Sequence, residues 1–169
     1  NLVNVTFVEC NFESAVFVRS QITGCSFQNC NLTRSNLGAC HINTSQFRKC
    51  NMEETVLSSA TIDDTEFLEC HFSQNIIKTL TLTDSVILRS SFIGVIVEGG
   101  AFRNVDIDQT RLERVMCQKV DWAETKLKDS QITRCIWLDS RLTKLRIYNC
   151  EGEKALFNTD TVISGSEIV

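Results

Sequence analysis

Every fifth residue from Leu2 onward is apolar: Leu2, Phe7, Phe12, Phe17, Ile22, Phe27 and so on to Ile147, thirty consecutive positions counting Cys117. All ten Phe residues and both Trp residues (Trp122, Trp137) fall in this phase, and its register never slips by a residue. Two residues before each large side chain stands a small one, as at Cys10, Ala15, Ser20, Cys25, Cys30, Ala60, Cys70 and Ser140. Eight of the nine cysteines occupy that second position.

A period of five excludes an α-helix, because five residues at about 100° each rotate the chain about 140° and scatter the large residues around the cylinder. In an extended chain, residues two apart share a face. The small and the large residue therefore point inward together, the one between them points out, and the last two turn a corner. Corner pairs such as Thr23-Gly24, Gln28-Asn29 and Glu53-Glu54 suit that task. A chain that turns after every three extended residues and always buries the same side winds into a coil.

Features recur at 20 residues, which sets four sides per coil. Cys10, Cys30, Cys50 and Cys70 are spaced by 20, as are Asn11, Asn31 and Asn51. Leu80 is too large for its small-residue position, and the residues 20 away, Ala60 and Gly100, are the smallest available. Close packing between stacked coils accounts for that pairing. Thirty units make about seven to eight coils, a rod of roughly 36 Å at ~4.8 Å per coil.

The runs Phe7-Val8-Glu9-Cys10-Asn11-Phe12, Phe27-Gln28-Asn29-Cys30-Asn31-Leu32 and Phe67-Leu68-Glu69-Cys70-His71-Phe72 resemble the pentapeptide-repeat family. The usual consensus there is Ala-Asp/Asn-Leu-x-x; this chain prefers Cys, Ser or Thr to Ala and Phe or Ile to Leu. The resemblance covers residues 2 to about 150 and implies an all-β fold, a right-handed quadrilateral β-helix. It implies little about function, because the family hosts many roles.

Composition changes the picture modestly. The chain is 43% apolar and 22% charged with a net charge of −4, which offers no broad basic footprint for direct nucleic-acid binding. No apolar run approaches the ~18 residues of a membrane span. The chain opens at Asn1 already inside its pattern, and we read it as a segment of a longer, bacterial protein. Residues 1–150 form the repeat domain. Residues 151–169 form a final partial coil or cap, in which Gly152 takes a large position, Asp160 a small one, and Phe157 and Val162 keep phase.

Candidate chemistry is sparse. The cysteines should form a straight inward ladder that cannot converge on a metal as zinc requires, so they read as small buried hydrophobes in a reducing cytoplasm, or in a protein exported by a bacterial secretion system. His41 and His71 lie on different sides with no ligand set around either. Asn75 points inward and needs a backbone partner. We expect no catalytic, metal-binding or cofactor-binding residue, and no cofactor.

The outward positions carry more. On one side the residue before each large one runs Val16, Asn36, Val56, Ile76, Ile96, Met116, Ile136, with Val18 and Leu138 widening the stripe at its ends. The equivalent positions of the other sides are mainly polar or charged. Val16, Val56, Ile76, Ile96, Met116 and Ile136 thus make a candidate interaction strip for a protein partner or for self-association. The expected function is a non-enzymatic scaffold or interaction module, of the kind found in effectors and secretion-system accessory proteins. One alternative is a DNA-mimicking protein that binds gyrase or topoisomerase, a role the family resemblance brings; its anionic column would be Asp64, Asp84, Asn104, Glu124, but Lys144 closes it. Another is an extracellular or lumenal domain of a membrane protein.

Overall fold

The computed structural model describes residues 1–158 and 160–168, and its residues are joined into a parallel β-solenoid. Each short strand pairs with the segment 20 residues away: Leu2 with Ile22, Phe7 with Phe27, Asn11 with Asn31, Val16 with Asn36. Four flat faces result, centred in the first coil on Leu2, Phe7, Phe12 and Phe17, here called the first to fourth. Main-chain bonds run between coils, as from the Asn29 N–H to the Arg48 carbonyl (2.9 Å) and from the Asn31 N–H to the Cys10 carbonyl (2.9 Å). The predicted 20-residue quadrilateral β-helix is what forms.

The large positions fill the tube and stack along it. Phe27 lies 4.7 Å from Phe47, Phe47 5.1 Å from Phe67, Phe72 4.5 Å from Phe92, and Phe102 4.5 Å from Trp122, all nearly parallel. Stacked aromatics at such spacings add to the burial of their area. Each corner places one residue in the left-handed region, from Asn4 (φ 55°) to Lys154 (φ 59°), mostly non-glycine. Paired coils over-determine a conformation that an isolated residue avoids.

Two kinds of corner follow from local sequence. On the third and fourth faces of the first three coils the chain closes a tight turn, as from the Ala15 N–H to the Phe12 carbonyl (2.9 Å). Three of these turns follow the Asn repeat: the side-chain oxygens of Asn11, Asn31 and Asn51 accept from the N–H groups of Glu13, Thr33 and Glu53, each at 3.1 Å. Elsewhere the inward N–H of the small residue is often met by a hydroxyl from the next coil: Cys70 by Ser90 (3.0 Å), Thr110 by Ser130 (3.0 Å), Val120 by Ser140 (3.2 Å). The small column is thus selected for hydroxyls as well as for size.

Between the fourth and first faces, coils four and five depart from the pattern. Strands Ile76–Thr83 and Ile96–Arg103 run through the corner and pair along its length, with Leu80 opposite Gly100. A side chain at Gly100 would strike the Leu80 main chain, so the glycine answers the Leu80 backbone and not, as size alone suggests, its side chain.

The end of the chain corrects one expectation. Leu156 and Phe157 pair in step with Ile136 and Trp137, but Arg141 pairs with Val162, Leu142 with Ile163 and Thr143 with Ser164. One extra residue after Phe157 shifts the register, so Val162 leaves the phase and Ile163 takes the large position. Thr161, not Asp160, takes the small position and donates to the Trp137 carbonyl (3.1 Å), and Ser166 repeats this with Leu142 (3.1 Å). Parallel pairing thus continues into residues 151–168, as a final coil.

Candidate functional site

The centres of the fourth face, from Phe17 through Ile77 and Val97 to Trp137, point into the tube, so the residue before each points out. That geometry brings Val16, Val56, Ile76, Ile96, Met116 and Ile136 into one straight row, with Asn36 between the first two. The row is an exposed one: Val16 is 76% accessible, Ile76 62%, Val56 38% and Ile96 37%, while Met116 and Ile136 are half-buried among their flanking side chains. It also runs further than the sequence reading took it. Leu156 pairs with Ile136 and is 57% accessible. Its signal was the same 20-residue spacing, hidden because the repeat fades after Cys150.

The row is interrupted once. Among the described residues no backbone bridge links Val56 to Ile76; beside that gap the buried Asn75 side-chain amide donates to the Met52 carbonyl (2.8 Å) and to the Thr55 carbonyl (2.9 Å). Asn75 finds the backbone partners its inward position demands. The next two coils are flat: Ile76 pairs with Ile96, and Lys78 pairs with Glu98, their charged ends 3.5 Å apart. The corners beside Ile96 carry only Gly94 and Gly99, so little rises beside the row in that coil, while Gln74 and Thr79 flank Ile76.

The outward rows of the other faces are mainly polar, with Val3, Val8 and Val86 exposed among them, and their charges are largely satisfied among themselves. Arg34 pairs with Glu13, Glu69 with both Lys49 (3.7 Å) and Arg89 (3.4 Å), and Asp106 with Lys126 (2.9 Å). His71 Nδ1 meets the Ser91 hydroxyl at 2.7 Å. In the corner column from Asp64 to Lys144, Asn104 donates to Asp84 (2.6 Å) and Lys144 to Glu124 (2.7 Å). The Lys144 hydrogen bond and charge hold the Glu124 carboxyl below its usual range. A groove of about 620 Å³ on the second face is lined by Asp106, Asp108, Lys126, Lys128, Arg146 and Tyr148, where opposite charges alternate and no one sign converges.

The cysteines form the expected inward ladder, free and mostly buried, with thiols donating to backbone carbonyls, as Cys50 does to Phe27 at 3.4 Å. Burial pushes the thiols of Cys30, Cys40, Cys117 and Cys135 up, and a hydrogen bond with Cys50 together with burial pushes Cys70 up. Such thiols are poor nucleophiles and poor ligands. Among the described residues no three His, Cys, Asp or Glu side chains stand together as a metal site, and no helix is long and apolar enough to cross a membrane.

Comparison with known proteins places this geometry. A family described as "Pentapeptide repeat region" matches residues 20–95, and one described as "Pentapeptide repeats (8 copies)" matches residues 1–38. No curated protein sequence matches the chain. Full-length QnrB1, a plasmid-mediated fluoroquinolone resistance protein, superposes with a TM-score of 0.68 at 13% identity, over 99% of this chain and 92% of that one. HetL from the cyanobacterium Nostoc, a pentapeptide-repeat protein involved in heterocyst differentiation regulation, gives 0.31 at 10% identity, over 99% of this chain and 86% of that one. At these identities the likeness to QnrB1 is one of fold.

Proposed function

Because the chain belongs to the pentapeptide-repeat family, whose solenoid leaves its outer faces free to vary, we propose that it is a non-enzymatic interaction scaffold working through its fourth face. The observation that carries this reading is the row itself: seven of eight outward positions from Val16 to Leu156 are aliphatic or Met, whereas the equivalent rows of the other three faces are mainly polar, with isolated exceptions such as Val86. A β-propensity bias would favour such residues on every face alike. Contiguous exposed apolar surface marks a site of contact. A topoisomerase-binding mimic of DNA would instead need an unbroken anionic column, and the Asp64 column is interrupted by Asn104 and closed by Lys144, which pairs with Glu124. Among the described residues no solvent-accessible general acid, base or nucleophile has neighbours that would activate it; the Cys50 thiol, held down by its hydrogen bond with Cys70, is buried inside the tube.

The test is site-specific photocrosslinking in the cells that make the protein. A photoreactive residue at Met116, on the fourth face, should yield adducts that vanish when Ile76→Asp and Ile96→Asp are added. The same probe at Lys126, on the second face, should yield none. Equal adducts from the two faces, or none from either, would overturn the proposal.

A further inference from the structure

We infer that the occupant of the fourth face is a second copy of this chain, laid antiparallel so that the two rods meet face to face about a twofold axis between coils four and five. The inference rests on the fourth face being the working face, and it adds which partner fits.

Two rods can meet symmetrically through this face in two ways. With the rods parallel, the row before each centre faces the row after it, and Ile76 and Ile96 would lie against Lys78 and Glu98 of the second copy. Antiparallel rods instead place each row on itself with its order reversed. Centred between coils four and five, that arrangement sets Ile76 against Ile96 of the second copy, Val56 against Met116, and Val16 against Leu156. In the neighbouring row it sets Lys78 against Glu98 of the second copy and Gly38 against Leu138. At the rim Glu54 faces Arg114.

The charges fix the register. Lys78 and Glu98 are the only charged residues in the row that follows the centres of this face. Sliding one copy by one coil sets Lys78 against Lys78, or Glu98 against Glu98, at the middle of an apolar contact. Like charges placed opposite one another select against that register. One like-charge meeting remains in the favoured arrangement, Arg34 with Arg134 at the rim, and Arg34 is already engaged by Glu13. Gly94 and Gly99 clear the corners at the twofold, where Gln74 and Thr79 of the second copy arrive.

The contact is of moderate size. Eight coils at ~4.8 Å and a face of five residues at ~3.3 Å give on the order of 600 Å² per copy. Standard-size interfaces bury about 800 Å² per partner, so the dimer should be reversible and concentration-dependent.

Sedimentation equilibrium on the intact chain tests this, with a charge swap divided between two molecules. Lys78→Glu alone and Glu98→Lys alone should each be monomeric where the unaltered chain is dimeric. Each also breaks the ion pair within its own chain, so only contacts between chains can be restored by mixing. An equimolar mixture should recover a one-to-one heterodimer. Melting temperatures close to that of the parent chain diluted to monomer would exclude misfolding as the cause of dissociation. An unaltered chain that stays monomeric up to its solubility limit would overturn the second copy as occupant, while fourth-face crosslinks to another protein would leave the scaffold reading standing. A dimer whose two variants do not pair on mixing would overturn the antiparallel register.

Discussion

A Cβ at Gly100 would press into the main-chain carbonyl of Leu80, with the Leu80 nitrogen 2.7 Å and its carbonyl carbon 2.8 Å away. The Gly100 φ of +98° is also one that side chains rarely adopt. Gly100→Ala should therefore destabilise the rod by about 3 kcal/mol or more, from overpacking against backbone plus strain. Leu80→Ala should cost about 2–5 kcal/mol by opening a cavity, since Leu80 is only 5% exposed. The two together separate the explanations. If the Leu80 side chain dictated the glycine, Leu80→Ala would rescue Gly100→Ala. Because the backbone dictates it, denaturant melts of the double variant should show no rescue.

The column of small inward residues supplies a second prediction. Ser90 accepts from the Cys70 N–H and lies within reach of the Phe67 and Leu88 carbonyls (3.3 and 3.1 Å). Ser90→Ala keeps the volume but leaves a buried N–H without a partner, at about 1–3 kcal/mol. Ala15→Ser, at a corner where the turn carbonyl already meets the N–H, should change stability far less. Thermal denaturation of the pair checks this; equal effects would mean that size alone governs the column.

These residues show how far the sequence reaches. A strict period of five with a 20-residue echo specifies the coil, because each inward side chain has one slot and no alternative face. The same arithmetic projects the fourth-face row outward, since an outward residue's place follows from its inward neighbours. What escaped was whatever depends on the main chain's own bonds. Asn75's need for a backbone partner was legible from its inward position, but the Leu80–Gly100 backbone approach, the Val56–Ile76 gap beside Asn75, and the choice between turn carbonyl and hydroxyl are invisible to a size pattern. The extra residue after Phe157 was hidden for a simpler reason: Val162 and Ile163 are both apolar, so either can be read as in phase.

Thiol ionisation gives a pH prediction. Burial, reinforced by neighbouring Cys135, pushes Cys117 far above the ordinary thiol value of 9.0, and Cys30, Cys40 and Cys135 are also raised. The folded chain thus holds protons that the unfolded chain releases above about pH 9. Stability is complete below that value and falls as pH climbs past it, by about 1.4 kcal/mol per pH unit for each fully buried thiol. Urea unfolding between pH 7 and pH 10.5 should show the decline, and Cys117→Val should flatten part of it. A thiol reagent on the native protein should reach Cys10 and Cys150, which are half-buried, well before the rest.

Asn75 tests the gap in the row most sharply, because a change of one atom alters its hydrogen bonding completely. Its amide donates two hydrogen bonds to the Met52 and Thr55 carbonyls from a site 1% exposed. In Asn75→Asp an ionised carboxylate would place negative charge against both carbonyl oxygens, so the folded protein retains that side chain only protonated, donating one bond. Its folded pKa would then lie well above the ordinary ~3.9 of an aspartate. The unfolded chain loses the proton from about pH 4 upward, so the penalty should be about 1–2 kcal/mol at pH 3 and grow steadily toward neutrality. Asn75→Leu removes the same donors without a titratable group, so its penalty should not vary with pH. Chemical denaturation of both variants from pH 3 to pH 7, each measured relative to the parent chain, gives the comparison. A pH-independent loss in Asn75→Asp would mean that the carboxylate escapes to solvent, and that the Val56–Ile76 gap opens without Asn75 to hold it.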